Sequence, residues 1–392
     1  MKSVAPLPGW PRFDEDEIAA VSRCLRSGRV NYWTGEEVKN FEAEYAAILN
    51  RRHAIALANG TVALELMLRV WGIGPGDEVI VTPRSFMASA SCVVSAGASP
   101  IFVDVDRDSG NISAQTIEPA LTKRAKAIIP VHLAGWPCEM DEILALARAR
   151  GLRVLEDCAQ ANGATIHGRP IGSFADAGAF SFCQDKIITT GGEGGLLAMD
   201  DDQWWDQAWS YKDHGKSWEA VTRRKHGPGY RWLHDRFGTN WRMTEMQAAI
   251  GRLQLRKLPQ WSAARAANAQ ILVQTLSHVA ALRVPVPPVQ LRHAWYKFYC
   301  YIEPHRLRSG WSRDRLMAEI SARGIPCFSG SCSELYLEGA FANHPARPAE
   351  RLPIARELGE TSLMFNVHPT LSIDDMERTA EVIRNVVSEA SL

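Results

Sequence analysis

The sequence of 392 residues has no excess of either charge, because 44 lysines and arginines stand against 44 aspartates and glutamates. A protein that binds nucleic acid through its phosphates usually carries a marked positive charge. We therefore expect no nucleic acid among the partners of this protein. Hydrophobic residues make up 46% of the chain, which is enough for a sizeable buried core.

Long apolar runs are missing as well. No uninterrupted apolar stretch reaches roughly 18 residues, and the first thirty residues lack a basic start followed by an apolar run. We therefore expect no membrane span, no signal peptide and a cytoplasmic location.

The eight cysteines include no C-x-x-C pair, which favours reduced, mostly buried thiols over disulfides. Only Cys327, Cys332 and His344 approach the spacing of zinc ligands, so we expect no metal site. The sequence also lacks G-x-G-x-x-G after a strand, H-E-x-x-H and G-x-S-x-G. These absences argue against nicotinamide enzymes, zinc proteases and serine hydrolases.

What the sequence does contain is an alternation of strand and helix patterns from about residue 76 onward. The strand patterns are short apolar runs rich in valine and isoleucine: DEVIV, PIFVDV, AKAIIPV and LRVLED. Helical patterns such as SFMASASCVVSAG and MDEILALARARG separate them. Strands of this kind are typical of a parallel sheet that helices cover on both faces. The pattern predicts a doubly wound, mostly parallel α/β sheet.

The pattern changes near residue 259. Residues 243–258 predict a helix, and after a further polar helical stretch come the loop VPVPPVQ and the aromatic strand WYKFYCYI. Two more helices are predicted, over residues 314–322 and 373–388. We interpret residues 1–258 as a large α/β domain and residues 259–392 as a smaller α+β domain.

Three polar segments follow apolar runs, at the strand ends where open parallel sheets bind ligands. Residues 59–61 (Asn-Gly-Thr) open a helix whose free N–H groups suit a phosphate, although a plain helix cap is the simpler interpretation. Asp157 ends a buried strand, where a carboxylate needs a cation or hydrogen-bond donors. Lys186 lies in SFCQDKIITTGGEGG, although most lysines are only solvated surface charges.

A single cofactor would account for all three segments. Pyridoxal phosphate needs an amine that forms a Schiff base, an acid that keeps the pyridine nitrogen protonated, and a cradle for its phosphate. An aromatic side chain can cover the face of its ring. The residues predicted for these roles are Lys186, Asp157, the Gly60 and Thr61 turn with Ser181, and Phe86.

At these residues the sequence resembles the DegT/DnrJ/StrS family of sugar aminotransferases. The resemblance covers nearly the whole chain and includes NGTVALELML, GPGDEVIVTPRSFMASA, VLEDCAQANGA, SFCQDKIITTGGEGG and GTNWRMTEMQAAIGRLQL. It implies the type I fold of pyridoxal-phosphate-dependent transferases, in which the large domain binds the cofactor.

The resemblance also implies roles for individual residues. Lys186 would be the catalytic Schiff-base lysine, Asp157 the partner of the pyridine nitrogen, and Gln160 a neighbour of the ring hydroxyl. Gly60, Thr61 and Ser181 would hold the phosphate, with Phe86 stacked on the ring. Asn240 matches a residue that reaches the cofactor phosphate of the neighbouring subunit, which implies a homodimer with shared active sites. Cys183 replaces a histidine that many members carry and receives no role.

Two segments bear on the substrate. GIPCFSGSCSELYLEGAF, residues 324–341, differs from the stretch that shapes the sugar end of the pocket in many nucleotide-sugar members, and resembles a branch acting on an eight-carbon 3-deoxy-octulosonate of lipopolysaccharide. Residues 212–242 hold eight basic side chains against three acidic ones, with tryptophans between them. This segment predicts a site for an anionic substrate, such as a sugar carboxylate or a pyrophosphate, or else a solvated loop.

Together these features predict an enzyme that moves an amino group from glutamate to a keto or aldehyde sugar for cell-surface polysaccharide. The expected product is 8-amino-3,8-dideoxy-octulosonate. One alternative is a nucleotide-linked 4-keto-6-deoxyhexose as the acceptor, and another is a non-catalytic regulator with the same fold.

Overall fold

The computed structural model describes residues 6–392, which form thirteen β-strands and twelve α-helices. The strands are β1 (His53–Leu57), β2 (Glu78–Val81), β3 (Ser99–Phe102), β4 (Ala125–Ile129), β5 (Arg153–Asp157), β6 (Thr165–Ile166), β7 (Arg169–Pro170), β8 (Ala177–Ser181), β9 (Gly195–Met199), β10 (Leu282–Arg283), β11 (Leu291–Arg292), β12 (Phe298–Ile302) and β13 (Ser362–Phe365).

The helices differ widely in length. They are α1 (Glu15–Ser27), α2 (Glu37–Leu49), α3 (Gly60–Val70), α4 (Ala88–Ser95), α5 (Ala114–Ile117), α6 (Met140–Arg150), α7 (Asp202–Lys212), α8 (Trp218–Thr222), α9 (Glu245–Leu276), α10 (Arg313–Ala322), α11 (Pro353–Thr361) and α12 (Ile373–Ala390). No helix within residues 6–392 is both long enough and apolar enough to cross a membrane.

Seven strands form the central sheet, in the order β1-β9-β8-β5-β4-β2-β3. The pairs from β8 to β3 are parallel, and β9 runs antiparallel to its neighbours β1 and β8. Every residue of β2, β8 and β9 is buried, as expected for strands covered on both faces. The prediction of a mostly parallel α/β sheet is confirmed.

The prediction that a helix ends at residue 258 was wrong. Helix α9 runs without a break from Glu245 to Leu276 and contains Pro259. Proline removes one backbone hydrogen bond and costs about 3 kcal/mol in a helix interior. The packing of α9 against α1, α2 and α12 offsets this energetic cost. The predicted domain boundary between residues 258 and 259 therefore lies inside a helix.

Two large apolar clusters account for most of the buried side chains. The first surrounds the seven-stranded sheet, and the second joins the C-terminal half of α9 to β12, β13, α10 and α12. Residues 335–341 and part of α11 pack in the first cluster, although they follow residue 259 in the chain. The division into domains of residues 1–258 and 259–392 stays a proposal, with α9 spanning both.

Strand β9 lies against the turn that precedes α3. A Cβ added at Gly195 would lie 2.2 Å from the carbonyl oxygen of Asn59 and 2.7 Å from the nitrogen of Gly60. Both are backbone atoms, which cannot move aside without shifting the strand or the start of the helix. Glycine at residue 195 therefore sets the position of the turn.

We expect Gly195→Ala to destabilise the protein by about 1–3 kcal/mol, since overpacking against backbone forces a shift. It should also weaken cofactor binding by displacing residues 59–60. Chemical denaturation and a titration with cofactor measure the two effects. Gly339→Ala is the matched control, because a Cβ at Gly339 meets nothing within 4 Å. Equal stability of the two variants would contradict the prediction.

Candidate active site

The loops that follow β1, β2, β5 and β8 open onto one cavity of about 960 Å³. Its far side is formed by residues 328–338 and by Tyr296, Lys297, Met364 and Asn366. Seven of the eight residues predicted for the site line this cavity: Gly60, Thr61, Phe86, Asp157, Gln160, Ser181 and Lys186. The tertiary structure thus brings together segments separated by more than a hundred residues.

Asp157 lies at the buried end of β5 with 4% of its surface exposed. Its carboxylate accepts hydrogen bonds from the Ser89 hydroxyl at 2.8 Å and from the backbone N–H of Ala159 at 3.1 Å. It forms no ion pair with any residue between 6 and 392, and burial raises its pKa above the ordinary value. A buried carboxylate in this condition is stabilised by a cationic partner placed in the cavity.

A second buried acid lies beside it. Glu156 accepts hydrogen bonds from the backbone N–H groups of Gly172, Phe174 and Ala175, and it faces His132 at 3.2 Å. Because Nδ1 of His132 accepts from the N–H of Cys138, its Nε2 carries the proton and donates to Glu156. Every polar atom of this pair has a partner. Hydrogen bonds thus hold His132, Glu156 and Cys158 together beside Asp157.

Lys186 points its amine into the cavity between Tyr296 and Asp185. Its Nζ lies 3.4 Å from the Tyr296 hydroxyl and 3.8 Å from the Asp185 carboxylate. Burial raises the pKa of Tyr296, so its hydroxyl stays protonated and donates to Asp185. The indole N–H of Trp10 donates to the backbone carbonyl of Lys186 at 2.8 Å. These contacts hold the lysine from its backbone and from its amine.

The start of α3 forms a cradle for an anion. The Asn59 side chain caps the helix by accepting from the N–H of Val62 at 3.0 Å, and the N–H groups of Gly60 and Thr61 donate to no described residue. A Cβ at Gly60 would lie 2.7 Å from the Cβ of Ser181, so only glycine allows this close approach. Two free N–H groups at a helix N-terminus beside a hydroxyl suit a phosphate.

Gln160 and Phe86 line the cavity in different ways. The Gln160 carbonyl accepts the backbone N–H of Ala134 at 2.8 Å, which leaves the amide NH₂ group as a donor toward the cavity. Phe86 is 70% exposed, so its ring presents a free face. Cys183 also lines the cavity, and no role follows from its contacts.

Asn240 does not line the cavity of its own chain. It is exposed, and its backbone forms an isolated antiparallel β-bridge with Asp213, just after α7. Its assignment to the phosphate of a neighbouring subunit stays a prediction.

Several residues of the site were missed from the sequence. Ser89, Asp185, Tyr296 and Lys297 hold or flank the predicted side chains. Tyr296 and Lys297 lie in WYKFYCYI, a pattern that predicts only a strand. The sequence shows that both residues come just before β12. It does not indicate that the start of this strand lies against Lys186.

The family of aminotransferases described as DegT/DnrJ/EryC1/StrS matches residues 11–384. This chain belongs to that family. An aminotransferase from Psychrobacter cryohalolentis has a crystal structure with 53% sequence identity and a TM-score of 0.97, covering 98% of this chain and 100% of that one.

Two further relatives carry named activities. A dTDP-3-amino-3,4,6-trideoxy-alpha-D-glucose transaminase of Streptomyces venezuelae is 34% identical, over 93% of this chain and 90% of the relative. A GDP-perosamine synthase of Caulobacter vibrioides is 36% identical, over 96% of this chain and 97% of the relative. The protein is therefore a pyridoxal-phosphate-dependent sugar aminotransferase with the type I fold, and the regulator alternative is set aside.

The chain's own residues fit this cofactor. The buried carboxylate of Asp157 lacks a cation, which a protonated pyridine nitrogen supplies. The free N–H groups of Gly60 and Thr61 with the Ser181 hydroxyl match a phosphate, and Lys186 offers the amine. We propose these residues, with Gln160 and Phe86 at the ring, as the holders of the cofactor in this DegT-family enzyme.

We expect borohydride reduction of the cofactor-loaded enzyme to attach the cofactor to one peptide, the one that contains Lys186. Lys297 is the other amine that lines the cavity, so Lys297→Gln is the matched control and should label normally. Lys186→Gln should not label. Mass spectrometry of a digest identifies the peptide, and a label on any other peptide would show that the lysine assignment is wrong.

We expect Asp157→Asn to lower turnover by roughly two to four orders of magnitude. A buried pyridinium without its carboxylate loses about 3–5 kcal/mol of stabilisation, and each 1.36 kcal/mol is tenfold in rate. Cys183→Ser, at another residue lining the same cavity, should change turnover far less. Steady-state kinetics at saturating cofactor, with circular dichroism as the check on folding, compare the variants. Similar losses in both would contradict the role of Asp157.

Proposed function

We propose that this enzyme transfers the amino group of glutamate to the keto carbon of a nucleotide-linked sugar. The observation that carries the proposal is the cavity of about 960 Å³, in which the candidate cofactor residues occupy only the side formed by the large sheet. This volume is near the upper end of the roughly 300–1,000 Å³ found for small-molecule sites. It leaves room for a substrate beside the cofactor. The two relatives named above act on dTDP- and GDP-linked sugars by their names.

The remaining space is bordered by residues 328–338. Phe328, Gly330, Ser331 and Cys332 line the cavity, and the backbone N–H of Ser85 donates to the carbonyl of Cys332 at 3.1 Å. This bridge ties the segment to the loop that carries Phe86. The segment predicted to select the sugar therefore lies beside the cofactor site, which supports its role in substrate choice.

The basic segment of residues 212–242 supports an anionic substrate. Lys216 and Arg242 pair with Asp213, Arg224 with Asp235, and Arg236 with Asp206. Arg223, Lys225 and Arg231 are exposed and have no ion-pair partner in the described part of the chain. Free guanidinium and ammonium groups of this kind bind phosphate oxygens.

The same segment supports a homodimer. Tyr230, Trp232 and Phe237 are 74%, 78% and 101% exposed. Large aromatic side chains clustered on a surface favour burial against another protein. In a homodimer, this segment and Asn240 would reach the cavity of the neighbouring subunit. The free cations would then face the pyrophosphate of a substrate bound there.

Each residue of the site has a task in transamination. When bound, pyridoxal phosphate stores the amino group and withdraws electrons from the reacting carbon. Asp157 would keep a positive charge on the ring nitrogen, and the start of α3 would hold the phosphate. The Lys186 amine would carry the proton that must move between two carbon atoms during transamination. Tyr296 limits the movement of that amine through its hydroxyl group.

The eight-carbon 3-deoxy-octulosonate, which the sequence predicts as the acceptor, becomes the second candidate, because the two relatives named above carry the names of nucleotide-sugar enzymes. This candidate is based on the resemblance of residues 324–341. Because residues 328–338 line the cavity, a role of this segment in substrate binding is favoured. Either acceptor agrees with our proposals of a cytoplasmic enzyme and of a place in cell-surface polysaccharide or lipopolysaccharide synthesis.

We expect the enzyme to aminate a nucleotide-linked keto sugar when glutamate is supplied. The experiment incubates the loaded enzyme with glutamate and, in separate reactions, dTDP-, GDP- and UDP-linked keto sugars and the oxidised octulosonate. Mass spectrometry detects the amino product. Amination of the octulosonate alone would overturn the nucleotide-linked proposal in favour of the second candidate.

The variant Arg231→Gln tests the basic segment in the same assay. If a free cation of residues 212–242 binds the pyrophosphate, the KM for the nucleotide sugar should rise about tenfold with little change in kcat. Arg347→Gln is the matched control, because Arg347 is exposed and lies outside this segment. An unchanged KM in Arg231→Gln would assign the residue to the solvated face of the loop.

A further inference from the structure

A second cavity of about 310 Å³ adjoins the one that holds the candidate cofactor site. It lies between residues 7–10, the middle of α9 and the strand ends near β12 and β13. Residues that line both cavities form the wall between them: Asp185, Tyr296, Lys297, Phe328 and Asn366. None of the roles assigned so far uses the smaller cavity.

Arg265 of α9 lines this cavity and is 1% exposed. One of its terminal nitrogens lies 3.3 Å from the carbonyl of Trp295 and 3.4 Å from that of Tyr296. Its Nε and its other terminal nitrogen have no hydrogen-bond partner in residues 6–392. The Trp10 ring lies 5.1 Å from the guanidinium. A buried guanidinium with unused donors is costly unless an anion joins it.

The other groups around the cavity leave a positive excess. Lys297 donates to the Asn366 side chain at 3.1 Å, and burial together with the charge of Arg265 lowers its pKa. Burial lowers the pKa of His368 to about 3, so its ring is neutral. Asp185 is the one acid among the residues that line the cavity, and it also faces Lys186. The buried Arg265 and the partly buried Lys297 thus share one half-exposed carboxylate.

Tyr296 lies between this cavity and the amine of Lys186. Lys186 approaches the hydroxyl of Tyr296, whereas Arg265 approaches its backbone carbonyl. Lys186 therefore lies at the hydroxyl end of Tyr296 and Arg265 at its backbone end. Lys297, the next residue, lines both cavities. A ligand that reacts at Lys186 and extends along this wall would place a distant acid group between Lys297 and Arg265.

We infer that the smaller cavity binds the distal carboxylate of a dicarboxylic amino donor and of its 2-oxo acid product, through Arg265 and Lys297. The inference rests on the proposed function for its donor half-reaction. The smaller cavity would then select the amino donor, outside the space proposed for the sugar. A donor with a short neutral side chain, such as alanine, lacks the group that these two cations bind.

The experiment titrates the cofactor-loaded enzyme with glutarate, an unreactive dicarboxylate, by isothermal calorimetry. The variants are Lys297→Gln and Arg265→Lys, with the exposed Lys123→Gln and Arg347→Lys as matched controls. We expect each cavity variant to weaken glutarate binding about tenfold or more, since a charge-assisted hydrogen bond is lost. The controls should bind as the wild type does. Because the titration needs no sugar, its result is independent of which acceptor the enzyme uses.

A kinetic readout separates donor binding from general damage. With glutamate and no sugar, the change in cofactor absorbance should need about tenfold more glutamate in Lys297→Gln. In a separate assay with sugar, the KM for the sugar should change far less. Unchanged glutarate affinity in Lys297→Gln would overturn the inference. Equal losses of donor and sugar affinity would also overturn it, because they would mark Lys297 as a structural support of the shared wall.

Discussion

A carboxylate that ends a buried strand needs positive charge or donors around it, and Asp157 has only a hydroxyl and one N–H. Burial raises its pKa because the chain supplies no paired cation. The cofactor of this family brings a ring nitrogen that becomes cationic beside such an acid. Folding and cofactor binding are therefore connected, since the sheet buries a charge that the bound ring can neutralise.

Close backbone contacts give the rest of the site its shape. Gly195 and Gly60 allow β9, β8 and the start of α3 to approach within distances that a Cβ would prevent. The free N–H groups at the helix start then lie beside Ser181. Lys186 lies on the next loop, held by Trp10 at its backbone and by Tyr296 at its amine. Small residues and a few long-range hydrogen bonds thus position the reacting groups.

Helix α9 connects the two apolar clusters and carries Arg265 to the smaller cavity beside the site. The cationic groups differ in their surroundings. Arg265 is buried and Lys297 partly buried beside the candidate cofactor cavity, whereas Arg223, Lys225 and Arg231 extend from an exposed loop. The two groups of cations thus lie in different surroundings. This suits the proposed reaction, in which the amino donor and the sugar enter in turn and each would contact a different group.

The sequence alone determined the α/β class, the family and the segments that line the main cavity. Local patterns are sufficient there, because short apolar strands and the polar turns after them reflect burial and strand ends. It failed at Pro259, where packing on three helices outweighs a local penalty. It also gave no indication of Tyr296, Lys297 or Arg265 in the site. Only the tertiary structure brings Tyr296 to Lys186, and Lys297 and Arg265 to the adjoining cavity. These placements depend on contacts between elements far apart in the chain, and such contacts leave no periodic pattern.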